Sequence, residues 1–104
     1  MTGIVSVYAV FANADEAQRI ARAAIEERLA ACANILGPVR SIYRWQGAVE
    51  DAEEVAALFK ARADKAEALT ARIAALHSYD VPAITVWPID HAWPAYADWV
   101  AAEG

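Results

Sequence analysis

The chain is poor in several features that would assign it quickly to a class. It has one cysteine, Cys32, among 104 residues, so no disulfide can form within a chain, which fits a reducing compartment. Basic residues are scarce: 9 lysines and arginines stand against 14 aspartates and glutamates, for a net charge of −5, and no basic cluster occurs. Binding to nucleic acid is largely phosphate neutralisation by basic side chains, so this balance argues against it. It argues equally against anionic membrane surfaces. There are only 4 glycines, none of them clustered, which excludes a Gly-rich phosphate loop. No apolar run approaches the roughly 20 residues that span a bilayer. Met1-Thr2-Gly3-Ile4-Val5 has no basic, signal-like region, so the expected location is the cytoplasm.

What the chain has in plenty is apolar surface. Hydrophobic residues make up 59% of it and charged residues 22%. The length fits one domain, residues 1–104, and a domain of this size has a small core. Alanine accounts for much of the count. The large apolar residues are still too many for one small core, which points to a subunit interface.

Hydrophobic spacing gives the element order. Ile4 to Phe11 is β-branched and aromatic on both faces and reads as a buried strand. Asn13 followed by Glu16 is an N-cap signature. Ala17, Ile20, Ala21, Ala24, Ile25 and Leu29 then recur at helical spacing, predicting a helix that ends near Ala31. A second strand starts at Ile35, is bent or bulged at Gly37-Pro38, and alternates through Tyr43 and Trp45. Gln46-Gly47 predicts a hairpin turn, and Glu54 to Arg62 a third strand. Asp64 and Glu67 repeat the capping pattern before a second helix ending near His77. Ala83 to Ile89 reads as a fourth strand, with Pro88 placing its end at a sheet edge. Pro94 fits the first turn of a last short helix carrying Tyr96, Trp99 and Val100. The order β-α-β-β-α-β with a terminal helix predicts an α+β, ferredoxin-like sandwich, two helices on one face of a four-stranded antiparallel sheet. Its second face, rich in large apolar residues, is expected to be covered by other copies of the chain.

Few residues offer chemistry. Ser6, Ser41 and Ser78 sit in no nucleophile motif, and Cys32 reads better as a small buried hydrophobe than as a catalytic thiol. His77, His91 and Cys32 are possible ligands for a late transition metal, but none forms a spaced pair. His77 suits a helix C-terminus equally well, and His91 a solvated loop. The acidic run Glu50-Asp51-Ala52-Glu53-Glu54 reads as a solvated hairpin tip or protected edge. Lys60 lies among Ala, Leu and Phe. With Tyr43 and Glu54 it could line a catalytic cleft, although such Lys–Glu spacing more often gives a surface ion pair. The strongest feature is aromatic: Tyr43, Trp45, Trp87, Trp93, Tyr96 and Trp99 suit an interface better than so small a core.

Four motifs occur in order over nearly the whole chain. They are Leu29-Ala30-Ala31-Cys32-Ala33-Asn34, Ser41-Ile42-Tyr43-Arg44-Trp45-Gln46-Gly47, His77-Ser78-Tyr79-Asp80-Val81-Pro82, and the closing Tyr96 and Trp99. Glu54 and Lys60 also stand at matching positions in the third strand. In these the sequence resembles the CutA divalent-cation-tolerance family. The resemblance implies a homotrimer and a link to tolerance of copper and other divalent cations, some members binding copper, with no established enzymatic activity. It also implies kinship in architecture with trimeric PII-type signalling proteins. This sequence departs from the family pattern at Ser78 and Asp80, which replace Pro and Glu. It has Ala9 where copper-binding members are thought to carry a cysteine, and Leu76-His77 where they carry neighbouring histidines. The first strand exits through Val10-Phe11-Ala12 in place of Thr-x-Pro.

His77 is thus the metal candidate, with Asp80 as a possible helper. Tyr43, Trp45, Glu54, Lys60, Tyr79 and Trp99 are the interface or cleft candidates. Two functions follow. One is a trimeric protein of divalent-metal response, with copper or another divalent cation as its possible ligand. The other is a PII-like sensor or scaffold with small molecules in clefts between subunits and no metal site. Neither is an enzyme, and the partners expected are further copies of the chain, with no nucleic acid and no membrane.

Overall fold

A computed structural model describes all residues from 1 to 104. The order is β1 (Ile4–Phe11), α1 (Ala14–Glu26), β2 (Cys32–Trp45), β3 (Ala48–Arg62), a 3-10 turn (Ala63–Lys65), α2 (Ala66–Leu76), β4 (Ile84–Pro88) and α3 (Pro94–Glu103). The four strands form one antiparallel sheet in the order β2-β3-β1-β4. This is the α+β, ferredoxin-like arrangement expected, with Pro88 closing the edge strand β4.

Alternation along β1 decides what goes where. Val5, Val7, Ala9 and Phe11 point to α1 and α2 and join Ala57, Phe59 and Ala61 of β3 in the main core. Helix α1 adds Ala17, Ile20, Ala21 and Ala24, and α2 adds Leu69 and Ile73. On the opposite face, Ile4 packs with Ala31 and with Val100 of α3. The terminal helix therefore covers one end of the face expected to be bare. The rest of that face stays open, with Trp87 half exposed and stacked on Tyr8 at 5.3 Å.

Several boundaries differ from the sequence reading, each for a local reason. Helix α1 stops at Glu26, five residues before Ala31. Arg28 adopts φ +59, and the Arg28 and Leu29 amides donate to the Ile25 and Ala24 carbonyls, both at 3.0 Å. That is a Schellman C-cap built on a non-glycine residue. Strand β2 starts earlier, at Cys32, because Ala31 N–H already donates to the Lys60 carbonyl at 2.8 Å. Asp64 does not cap α2. Its carboxylate is held by Arg62 at 2.7 and 3.0 Å, and a 3-10 turn leads into the helix.

The β2–β3 hairpin is longer than expected. Strand β3 begins at Ala48, so of the two settings expected for the acidic run the structure has the strand edge and not the hairpin tip. Gln46 and Gly47 have φ of +50 and +84, which fits the two-residue type I′ turn. Leu36 is an extra residue between the pairs Ile35–Ala57 and Gly37–Ala56, with Gly37 at φ +98. This is the bulge anticipated at Gly37-Pro38. Since β1 ends at Phe11 opposite Val55, the segment Ala48–Glu54 pairs only with β2. An arm of two strands therefore projects from the sandwich, and the chain measures 45 × 25 × 22 Å.

Candidate functional site

The arm has two faces. Tyr43 and Trp45 lie on one, while Arg40, Ile42 and Arg44 alternate onto the other. The first face meets the loop from Ser78 to Ala83, which carries the chain from α2 to β4. Together they enclose an open groove of about 440 Å³. Its walls include Tyr43, Trp45, Tyr79 and Val10, with Glu54 and Asp80 supplying carboxylates, and no basic side chain lines it.

Glu54 is the best-defined group there. It is only 7% exposed. Tyr79 Oη donates to its Oε2 at 2.7 Å, while Oε1 has no partner within the chain. Burial, then the hydrogen bond to Glu54, pushes the Tyr79 phenol up to about 12. Tyr79 therefore stays protonated at neutral pH and remains a donor.

Beneath the groove lies a second polar cluster. Asn13 caps α1 by accepting from Glu16 N–H at 2.9 Å. The Glu16 carboxylate reaches back to Ala12 N–H at 3.2 Å and across to Ser78 N–H at 3.1 Å. A residue read from sequence as half of a capping box thus also ties the α2 exit to the start of α1. Burial raises the Glu16 carboxyl, but the hydrogen bonds from Ser78 and Ala12 outweigh it and hold the group below its ordinary value.

His77 sits in this cluster with a fully buried side chain. Its Nε2 lies 2.7 Å from the Val10 carbonyl oxygen, and its Nδ1 is 3.0 Å from Tyr79 N. The partners fix the tautomer: Nε2–H donates to Val10, and Nδ1 accepts from Tyr79. The ring also stacks on Phe11 at 5.1 Å. Both nitrogens are engaged, so a metal ion could bind here only by displacing a backbone partner. Cys32 is half-buried on the other face, with Sγ 3.3 Å from Tyr96 Oη. Nowhere do three His, Cys, Asp or Glu side chains converge in a metal-binding group. The residues of a single chain do not fit a copper centre.

The other cleft candidates divide. Tyr43, Trp45, Glu54 and Tyr79 come together, with Asp80 beside them. Lys60 does not join them. It lies six residues along β3 from Glu54, roughly 20 Å at strand spacing, and donates to Asn34 Oδ1 at 2.8 Å. Trp99 lies on α3, stacked on Tyr96 at 6.0 Å. Glu16 was legible only through Asn13 as a cap, and nothing in the sequence signals its bond to Ser78.

Known proteins resemble the chain along almost its full length. The CutA1 divalent ion tolerance protein family matches residues 5–103. The divalent-cation tolerance protein CutA of Pyrococcus horikoshii is 39% identical over 100 residues, covering 96% of this chain and 97% of that protein. That of Archaeoglobus fulgidus is 36% identical over 94 residues, 90% of this chain and 91% of the relative. Protein CutA of Mus musculus is longer, and the match spans 50% of it. The solved structure of the divalent cation tolerance protein of Thermus thermophilus superposes with a TM-score of 0.93 at 39% identity, covering 96% of this chain and 97% of that one. The chain belongs to the CutA1 divalent ion tolerance family.

Proposed function

We propose that the protein serves divalent-cation tolerance as a non-enzymatic, self-assembling protein whose working form is a homotrimer. The observation that carries this is the placement of tryptophan. All four, Trp45, Trp87, Trp93 and Trp99, are at least 44% exposed in the single chain. Ile42 and Val49 stand out on the arm in the same way. A solvated monomer rarely leaves its largest apolar side chains open in this number. The radius of gyration, 14.1 Å, exceeds the roughly 13 Å of a compact domain of this length, because the arm projects.

Divalent-cation tolerance is the role by which relatives are named, and it comes to this chain as a proposal. Any copper role would need ligands contributed by more than one copy, because His77 is saturated and no three-ligand group exists. Cytoplasmic residence is part of the proposal, supported by the single free thiol. One relative is described as periplasmic and another as chloroplastic. No helix is long and apolar enough to cross a membrane.

A second reading has its own support in the groove. An aromatic-walled depression with a buried carboxylate is the kind of site that holds a small molecule. It favours the sensor or scaffold function, with no metal involved. Light scattering at micromolar concentration, followed by calorimetric titration with copper(II), tests both. A mass three times that of the chain supports the trimer, and a monomer overturns it. Copper binding at a fixed ratio per trimer supports a metal role. An intact trimer that ignores copper leaves the small-molecule reading.

A further inference from the structure

We propose that the groove between the β2–β3 arm and the Ser78–Ala83 loop binds a small organic cation, an alkylammonium held by Glu54 and the rings of Tyr43, Trp45 and Tyr79. This rests on the reading of the groove as a ligand site, and adds the ligand's charge and class.

Charge is the first argument. Glu54 is more than nine-tenths buried, yet it takes part in no ion pair. Its one partner is the Tyr79 phenol, at Oε2. Oε1 has no protein donor and is not sealed away from solvent. A buried carboxylate is costly unless a positive group or several donors face it. Asp80 adds a second acid, and no lysine, arginine or histidine lines the groove to answer either. Lys60 is committed to Asn34, and Arg40 to Asp51 at 3.2 Å. A positive group that answers these carboxylates would come from outside the chain.

The walls supply the second argument. Tyrosine and tryptophan faces are electron-rich and attract cations, and aromatic cages of this kind select ammonium groups. Three such rings border the carboxylate, each between 38% and 48% exposed in the single chain. A strongly hydrated divalent ion would find mostly apolar walls here and no three-ligand cluster. An anionic ligand would meet two carboxylates. The volume of about 440 Å³ suits a small molecule.

The test is calorimetric titration of the intact assembly with choline, its uncharged tert-butyl isostere, and glutarate, with the mass checked in the same buffer. Choline should bind at least about tenfold more tightly than the isostere, the margin expected when cation–aromatic and carboxylate contacts act together. Glu54→Gln should remove most of that margin without changing the assembly mass, and Tyr43→Leu should weaken choline more than the isostere. Equal affinity for choline and isostere, or a preference for glutarate, would leave the groove a ligand site and overturn the cation assignment. Silence from all three probes on an intact assembly would overturn the ligand-site reading as well. The wild-type comparison decides the matter even if a variant fails to fold.

Discussion

From Val55 to Ala61, β3 runs between β1 and β2 and fills the core with Val55, Ala57, Phe59 and Ala61. From Ala48 to Glu53 the same strand has one neighbour and stands in solvent. The two halves share a backbone conformation and differ in what surrounds them. The lower half is stabilised within the chain, by burial against two helices. The upper half has little inside the chain to hold it straight. A two-stranded ribbon is marginal alone in water. Its persistence as a strand pair fits the proposed assembly, in which other copies of the chain would cover it.

The largest expected effect is in the lower half. Phe59 is fully buried and packs 6.4 Å from Phe11. Phe59→Ala should cost about 3–5 kcal/mol, as large-to-small core changes do. Denaturant unfolding at several protein concentrations measures it. A cost below about 1 kcal/mol would show that the base is no better packed than the arm. The matching change in the upper half is Trp45→Ala. Because that ring is 48% exposed in the chain, its loss should fall on association. The expected cost is about 2 kcal/mol or more of assembly free energy, typical of a buried interface tryptophan. Sedimentation would show the shift to lower mass, while circular dichroism of the diluted chain stays unchanged. If instead the chain unfolds with no change in mass, the arm belongs to the core and the comparison fails.

Glu16 lies where the two regions join, since its carboxylate holds both Ala12 and Ser78. Glu16→Gln should cost about 1–2 kcal/mol, because an amide offers only one oxygen and turns an N–H toward a second donor. The pH dependence follows from the direction of the shift. The carboxyl is held below its ordinary value of 4.5, so its stabilisation is present above that pH. It is lost as pH falls through the lower, folded value. Thermal melts of the wild type should therefore decline on acidification below about pH 4.5 more steeply than those of Glu16→Gln. Parallel curves would remove Glu16 from the junction.

Much of the lower half was legible in the sequence, because burial leaves a periodic mark. The alternation in β1 and the helical spacing of Ile20 and Ala24 gave their elements directly, as the turn at Gln46-Gly47 did at the tip of the arm. The misses have physical reasons. The end of α1 carries no glycine, since Arg28 takes the left-handed position itself. Asp64 has the pattern of a cap, but Arg62 holds its carboxylate instead. The acidic run has the look of a solvated tip or protected edge because Glu50, Asp51 and Glu53 are exposed along the arm, and nothing in it signals that Glu54 is buried. In the candidate site, Tyr43, Trp45, Glu54 and Tyr79 were named from motifs and do meet. Their meeting depends on how the Ser78–Ala83 loop folds across the arm, which no local pattern encodes. Lys60 matched the same spacing yet lies elsewhere, because a strand carries residues six apart onto the same face but far along it.

The smallest expected effect separates charge from packing in the upper half. Arg40 and Asp51 pair across the arm at 3.2 Å, with both side chains more than 60% exposed. An ion pair in that setting is screened by water and contributes roughly 0–1 kcal/mol, usually the lower end. Arg40→Ala should therefore change unfolding free energy by less than about 0.5 kcal/mol and leave the mass of the assembly as it was. A larger loss that disappears at high salt would mean that the arm is held by its own charges. It would then stand without a partner, and the exposed tryptophans would need another explanation than association. No change on removing Arg40, beside a large shift in mass for Trp45→Ala, would leave apolar contact with other copies as what keeps the arm extended.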